Sequence, residues 1–367
     1  MSKAQIEIQF NWIFVLVIGA ILLAFLVTFS FRQQSSADQQ VNVQIARQFD
    51  TIFTTTLQQP DTVKDYQTPL TDLSFVCNYL ESRHSFLING ISARETRYDL
   101  FVAPQEFSTR RLYTWAVEWE VPFPIDRFMY ITTPQREVIF YQDTPEPSVP
   151  LRTLLDAFPS NFTQRVVRDN FANVPTVQSN RDHYTFVFID GMALPPARTI
   201  FQTPADRTTI LLVQPNSQRI FESGRVLFLT VQQYENFRND LLPVAEIEQV
   251  SQSYLGKASF FAALFSESRE RYTCVMDKAL DRLEAVSLVL HASLLEAEPL
   301  VSSSCRALLI GTDREGFYGM KYLLEQVNQT VQRGMSPATI RELSTLTSRI
   351  DQLNNRVALE TNCPLLY

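Results

Sequence analysis

The sequence predicts an α+β, multidomain chain: a membrane-spanning helix at its start, a β-rich and α/β body after it, and a helical bundle at its end. Three observations carry that expectation. An uncharged apolar run of 22 residues extends from Phe10 to Phe31. Alternating and then continuous apolar segments fill the middle of the chain, and leucines at helical spacing close it.

Composition sets the outer bounds. The chain has 367 residues, 45% hydrophobic and 19% charged, which is globular composition for more than one compact unit. Phe and Tyr number 27 and 13, enough large side chains for a well-filled core. Only nine glycines are present, which argues against collagen-like, β-helical and Gly-rich phosphate-binding designs. The net charge of −7 supplies no basic field, so nucleic acid is not an expected partner.

Residues 1–9 form a short leader and residues 10–31 the span, with Phe10 and Trp12 at one boundary and Phe31 at the other. At ~1.5 Å per residue the run covers about 33 Å, against roughly 30 Å of hydrocarbon, so the lipid bilayer is its expected partner. A cleavable secretory signal has an apolar stretch of only about 7–15 residues. Lys3 and Glu7 precede the span while Arg32 and Arg47 follow it, so flanking charge leaves the orientation nearly even. Val41, Ile45, Phe49, Ile52 and Phe53 then recur at helical spacing, predicting an amphipathic stalk helix over 32–58. Packing on the chain's own body is favoured over a filament core, and Pro60-Asp61 ends the helix.

Residues 70–143 read as a β-rich domain. Tyr113, Trp115, Val117, Trp119 and Val121 alternate with Thr114, Ala116, Glu118 and Glu120, the signature of a half-buried strand. The aromatic stripe resembles a carbohydrate or nucleobase platform, but a core-facing strand explains it better. Segments 85–92 and 97–103 add two strands, while 128–132 and 137–141 flank Thr133-Pro134-Gln135-Arg136 as an expected hairpin. The proline-rich joint at 144–150 then marks a boundary. In 151–245, two short helices (151–158 and 160–171) precede continuous apolar runs at 185–189, 209–213 and 225–231. Strands apolar on both faces predict an α/β layer.

From Gln232 the chain reads as helical to its end, with 246–367 as the C-terminal bundle. Leu280, Leu283, Leu290 and Leu294 mark one helix; Leu343, Leu346, Ile350, Leu353 and Val357 mark the last. Between them a helix over 322–331 stops at Gly334, and Ser336 caps the next with Pro337 in its first position. Association with a protein partner or a second copy through the N-terminal or C-terminal helices is compatible with these repeats.

Cys77, Cys274, Cys305 and Cys363 all follow the span, as an oxidising compartment would favour; four free thiols in a cytosolic domain are the alternative. Four cysteines allow three pairings. Cys274 opens the first long helix, Cys305 follows its end and Cys363 follows the last helix, so an up-down-up bundle puts Cys305 near Cys363. The expected pairs are therefore Cys305–Cys363 and Cys77–Cys274.

Catalytic chemistry is not legible. His84, His183 and His291 have no zinc-hydrolase spacing, no nucleophile elbow, dinucleotide loop or Walker loop occurs, and no cofactor or metal is expected. Asp190-Gly191, after an apolar strand, is where an α/β enzyme could place a carboxylate, although turn chemistry explains the pair as well. Asp143 and Glu146 stand in the same position.

Lys3-Ala4-Gln5-Ile6-Glu7-Ile8-Gln9-Phe10, followed at once by the apolar run, resembles the class III signal segment of archaeal type IV pilin-like proteins. The resemblance implies cleavage between Ala4 and Gln5, a retained helix as anchor and assembly core, and a body outside the cell. That family has Glu at the fifth mature position; Gln9 stands there and the acid is Glu7. Segments 115–123 and 128–132, with the anchor, are also similar to uncharacterised archaeal single-pass membrane proteins. The expected function is a membrane-anchored extracytoplasmic structural, adhesion or assembly protein. An extracytoplasmic enzyme with a site at strand ends and an inward-facing anchored scaffold are the alternatives.

Overall fold

The computed structural model describes residues 3–78, 83–90, 92–95, 100–168, 181–197, 205–311, 319–359 and 363. The side chains of Ala4, Gln5, Phe10 and Trp12, with the rest of 3–14, lie outside the described residues, as do those at 34–39 and His84. The fold is mixed α/β.

Helix α1 (Lys3–Leu57) runs unbroken for 55 residues. Its segment Val15–Gln33 is long and apolar enough to cross a membrane, with mean hydropathy 2.4 and none of it buried. The following turns behave differently: Ile45, Ala46, Phe49, Phe53 and Thr56 are buried, a 3–4 spaced stripe laid on a sheet. The helix ends where Pro60 cannot continue it and Asp61 takes φ 59°. Side chains from the body satisfy its last carbonyls: Lys64 Nζ donates to Thr55 O (3.1 Å) and Arg127 Nη1 to Leu57 O (2.7 Å).

That sheet comprises β1 (Lys64–Asn78), β2 (Arg83–Ile88), β3 (Ser92–Glu95), β4 (Phe101–Val102), β5 (Glu106–Glu120) and β6 (Pro124–Thr132), in the order β3-β2-β1-β5-β6-β4. All neighbours are antiparallel except β4 and β6. Period two separates the two faces of β5. Leu112 faces α1, in a cluster with Phe53, Phe75, Phe86, Phe101 and Phe107; Tyr113, Trp115, Val117 and Trp119 face the opposite way into the main core. The aromatic stripe is thus interior: Trp115 lies 4.8 Å from Phe261 and 5.2 Å from Tyr130, between ring centroids.

The second sheet comprises β7 (Arg136–Gln142), β8 (Gln164–Arg168), β9 (His183–Ile189), β10 (Thr208–Pro215), β11 (Ser223–Leu229) and β12 (Ser251–Leu255), in the order β12-β11-β10-β9-β7-β8. Strands β8, β7, β9 and β10 are parallel; β11 and β12 add antiparallel neighbours. Helix α2 (Val149–Ala157), capped by Ser148, carries the β7–β8 crossover. The chain enters at β7, steps to β8 on one side and returns to β9 on the other, creating a topological switch point between β7 and β9.

Three expectations are corrected. The hairpin across residues 133–136 does not form: β6 pairs with β5 and β4, and β7 pairs with β8 and β9. The segment passes from one sheet to the other, so β7 belongs with the α/β layer rather than with 70–143. The expected helix over 160–171 contains strand β8, because Val166 and Val167 pair with Phe140 and Tyr141; its residues beyond 168 lie outside the described residues. Strand β12 interrupts the region read as helical, its five residues buried as an added edge beside β11. Of the segment 97–103, Phe101–Val102 forms a strand, and residues 97–99 lie outside the described residues.

The chain from Leu229 onward adds α3 (Val231–Arg238), α4 (Val244–Val250), α5 (Gly256–Phe265), α6 (Arg269–Ala297), α7 (Ser303–Leu309), α8 (Met320–Val331) and α9 (Pro337–Leu359). Helix α5 is buried from Ala258 to Leu264. Trp119 Nε1 donates to Leu255 O (2.8 Å) and Tyr130 Oη to Ala258 O (2.6 Å), so the β5–β6 pair grips its first turn through otherwise orphaned polar groups. Ser336 Oγ accepts from Thr339 N (3.1 Å), and Gly334 takes φ 74° between α8 and α9. One core cluster runs from Trp115 of the first sheet through Val213 of the second to Leu283, Val327 and Ile350 of the helices.

The cysteines stand in two pairs, Cys77–Cys274 (Cα–Cα 6.5 Å) and Cys305–Cys363 (Cα–Cα 5.4 Å). Both are compatible with the pairing expected from the helix order. The first ties β1 to α6, and the second ties α7 to the segment after α9.

Candidate functional site

The carboxyl ends of parallel strands are where α/β folds expose chemistry, because the ladder stops there and loops diverge. Asp190 directly follows β9 and is exposed, with Gly191 at φ 87° making the turn. Its amide donates to Val213 O (2.7 Å), which holds it beside the end of β10. The register extends the arrangement across the sheet. Val213 opposes Ile189, Gln214 opposes Arg225, and Arg225 opposes Ser253. Side chains in register share a face, so Asp190, Gln214, Arg225 and Ser253 form a row across four neighbouring strand ends.

This row floors a cleft of about 260 Å³, closed on the other side by Pro337, Ile340 and Arg341 from the first turns of α9. Arg225 Nη2 donates to Gln214 Oε1 (2.8 Å). Among the described residues, neither Arg225 nor Arg341 has a carboxylate within ion-pair distance. Ser253 is 3% exposed, and among the described residues its hydroxyl has no hydrogen-bond partner. Gly224 makes the floor possible: a Cβ there would stand 2.5 Å from Gln214 O and from the buried Tyr254 hydroxyl.

Of the other two acidic residues after β7, Asp143 has a structural duty for its carboxylate and Glu146 contributes a backbone oxygen. Asp143 Oδ2 accepts from Ala193 N (3.0 Å), pinning the loop after β9 across the end of β7. Glu146 is exposed, and its carbonyl accepts from Thr144 Oγ1.

A denser cluster, with no signature in sequence spacing, lies at the opposite ends of these strands. Glu267 bridges the two sheets, with Arg136 of β7 on Oε1 and the Gln105 amide donating to Oε2 (2.8 Å). Burial alone would raise the Glu267 carboxyl, but Arg136, the Gln105 amide and His183 outweigh it and hold the carboxyl below its ordinary range. Glu137, 4% exposed, pairs with Arg165 (2.9 Å) and Arg181 (3.7 Å). Thr209 Oγ1 donates to Glu267 O (2.8 Å) and therefore accepts from His183 Nε2–H (2.9 Å). Burial pushes the His183 imidazole down to about 4, against the pull of Glu267. Each carboxylate here is held by at least one arginine, and the space between the groups is about 20 Å³, so the cluster joins sheets and leaves a ligand little room.

His291 is likewise structural, its Nε2 lying 3.1 Å from Glu325 Oε1 between α6 and α8. Among the described residues no group of three or more His, Cys, Asp or Glu side chains could hold a metal ion. The cleft offers charge and hydrogen-bonding groups without a nucleophile–base pair, since the Ser253 hydroxyl has no partner. No family model matches the chain, and neither does any curated protein or solved structure.

Proposed function

We propose that this chain is a membrane-anchored extracytoplasmic protein with a structural, adhesive or assembly role, built to hold a rigid body at a fixed attitude to a bilayer. One observation carries the reading: a single helix has an unburied apolar half and a half buried on the first sheet. In water, side chains such as Leu16, Leu22, Leu23, Phe25, Leu26 and Phe31, each more than half exposed, would cost solvation energy along the whole segment; lipid removes that cost. The buried half reads as a mount. Phe53 meets Phe86 and Phe101 at ring centroid distances of 5.9 and 5.4 Å, and the Thr56 and Thr114 hydroxyls meet at 2.7 Å.

Two cysteine pairs support placement in an oxidising compartment, because reducing conditions would keep such thiols apart. The α6–α8–α9 layer acts as a C-terminal helical bundle stapled by Cys305–Cys363. The pilin-like leader would be cut between Ala4 and Gln5, leaving α1 as the anchor and the element through which copies assemble.

The test is a protease added to intact cells that express the full chain, followed by non-reducing mass analysis of the membrane fraction. The expected result is loss of the body and a protected fragment containing Val15–Gln33 after protease, and, from untreated cells, a mass four hydrogens below that of the same chain after reduction. A chain released by alkaline carbonate, or a body that resists the protease until the cells are lysed, would overturn the proposal.

A further inference from the structure

We propose that the cleft floored by Asp190, Gln214, Arg225 and Ser253 binds a small hydroxylated oxyanion, a sugar acid or sugar phosphate of single-ring size. Two arginines line the cleft from independent elements, Arg225 from β11 and Arg341 from α9, and neither is neutralised by a carboxylate among the described residues. Guanidinium N–H forks match the paired oxygens of carboxylate and phosphate, which makes the space between them an oxyanion seat. The first turns of α9 open onto the same space, adding the positive end of a 23-residue helix.

The Ser253 hydroxyl is the observation that points beyond a simple charged surface. It is almost wholly buried in the cleft wall and makes no hydrogen bond, a state that costs free energy until something supplies a partner. It stands beside Arg225 in register, enclosed just under the cleft surface, so a ligand anchored on the guanidinium lies over it and gains the hydroxyl once that side chain turns outward. At the other end of the row, Asp190 is an acceptor for ligand hydroxyls and would repel a second negative group. Strand spacing of about 4.8 Å makes the row roughly 14 Å long, and about 260 Å³ suits one ring rather than a polymer. The result is a seat for one anionic group flanked by hydroxyl-binding positions.

The test is titration calorimetry on the detergent-solubilised full chain with glucuronate, glucose 6-phosphate, neutral glucose and inorganic phosphate. The expected result is saturable binding of one or both charged sugars, with glucose and free phosphate each at least about tenfold weaker. Preference between the two charged sugars identifies the oxyanion as carboxylate or phosphate. Arg341→Ala, an exposed helix position, should weaken binding by about tenfold or more while leaving the melting temperature unchanged, and Arg341→Lys should recover part of the loss. Phosphate binding as tightly as the sugars would overturn the hydroxylated ligand. The site itself is overturned if no charged probe saturates by about 10 mM, or if Arg341→Ala binds like the parent chain.

Discussion

Acidification should unlock the seam between the two sheets, and His183 sets where that begins. Its imidazole is buried between Thr209 and Glu267 and titrates near 4 in the folded chain, against an ordinary value of 6.5. Between those values the unfolded chain binds a proton that the folded chain refuses, so stability falls as pH falls through this window and is fully retained above it. At 1.36 kcal/mol per unit, the loss is about 2 kcal/mol from pH 7 to pH 5 and about 3 kcal/mol by pH 4. Glu267 acts with the same sign but lower down. Its carboxyl is held below 4.5, so its contribution is present above that value and is lost only as pH falls further. Burial raises the Asp277 and Asp281 carboxyls, which act with the opposite sign, so the difference between the parent chain and a His183 variant from pH 6.5 to 5 isolates the histidine. Urea unfolding of the full chain in detergent, followed by fluorescence of the buried Trp115 and Trp119, measures it. His183→Gln places an amide donor where Nε2 stands and removes the titration, so its stability should fall less than that of the parent chain across that interval. Parallel pH profiles for the two proteins would refute the assignment.

Two further outcomes follow from packing and chain connectivity. Phe53→Ala removes a fully buried ring from the aromatic cluster under α1 and should cost about 3–5 kcal/mol, read as faster hydrogen exchange over 45–57 ahead of the rest of the body. Cys305→Ser combined with Cys363→Ser opens a loop closed over 58 residues, which should lower unfolding free energy in urea by about 4 kcal/mol.

Much of the architecture was legible because its determinants are local. The hydropathy of 10–31 and the stripe from Ile45 to Phe53 together trace α1, and alternation over 113–121 locates the second half of β5. Continuous apolar runs mark β9, β10 and β11, and Gly334-Met335-Ser336-Pro337 punctuates α8 from α9. What was missed is non-local. Thr133-Pro134-Gln135-Arg136 has the same turn chemistry whether its flanks pair or diverge into separate sheets, and only the partners of β6 and β7 decide. Strand β12 is Ser-Gln-Ser-Tyr-Leu, polar enough to read as a helix start, yet all five residues are buried because β11 offers an edge. Glu267 meets Arg136 across 131 positions, beyond any spacing rule. Asp190 was visible from its place after an apolar strand, whereas Arg225, Ser253 and Arg341 join it only through register and the landing point of α9.

Between Ala20 and Gln59 the chain contains no glycine or proline, and α1 crosses that interval without a kink-forming residue. The helix is about 82 Å long, and from Gln33 to its first buried turn at Ile45 it projects roughly 18 Å as a stiff mast. Its foot and its cargo cannot swivel separately. A lean of about 20°, ordinary for a helix in lipid, would carry the mast's head some 6 Å sideways and turn every surface of the cargo by the same angle. On the proposed anchoring, bilayer thickness, through the lean it imposes, becomes a variable that steers where the body faces.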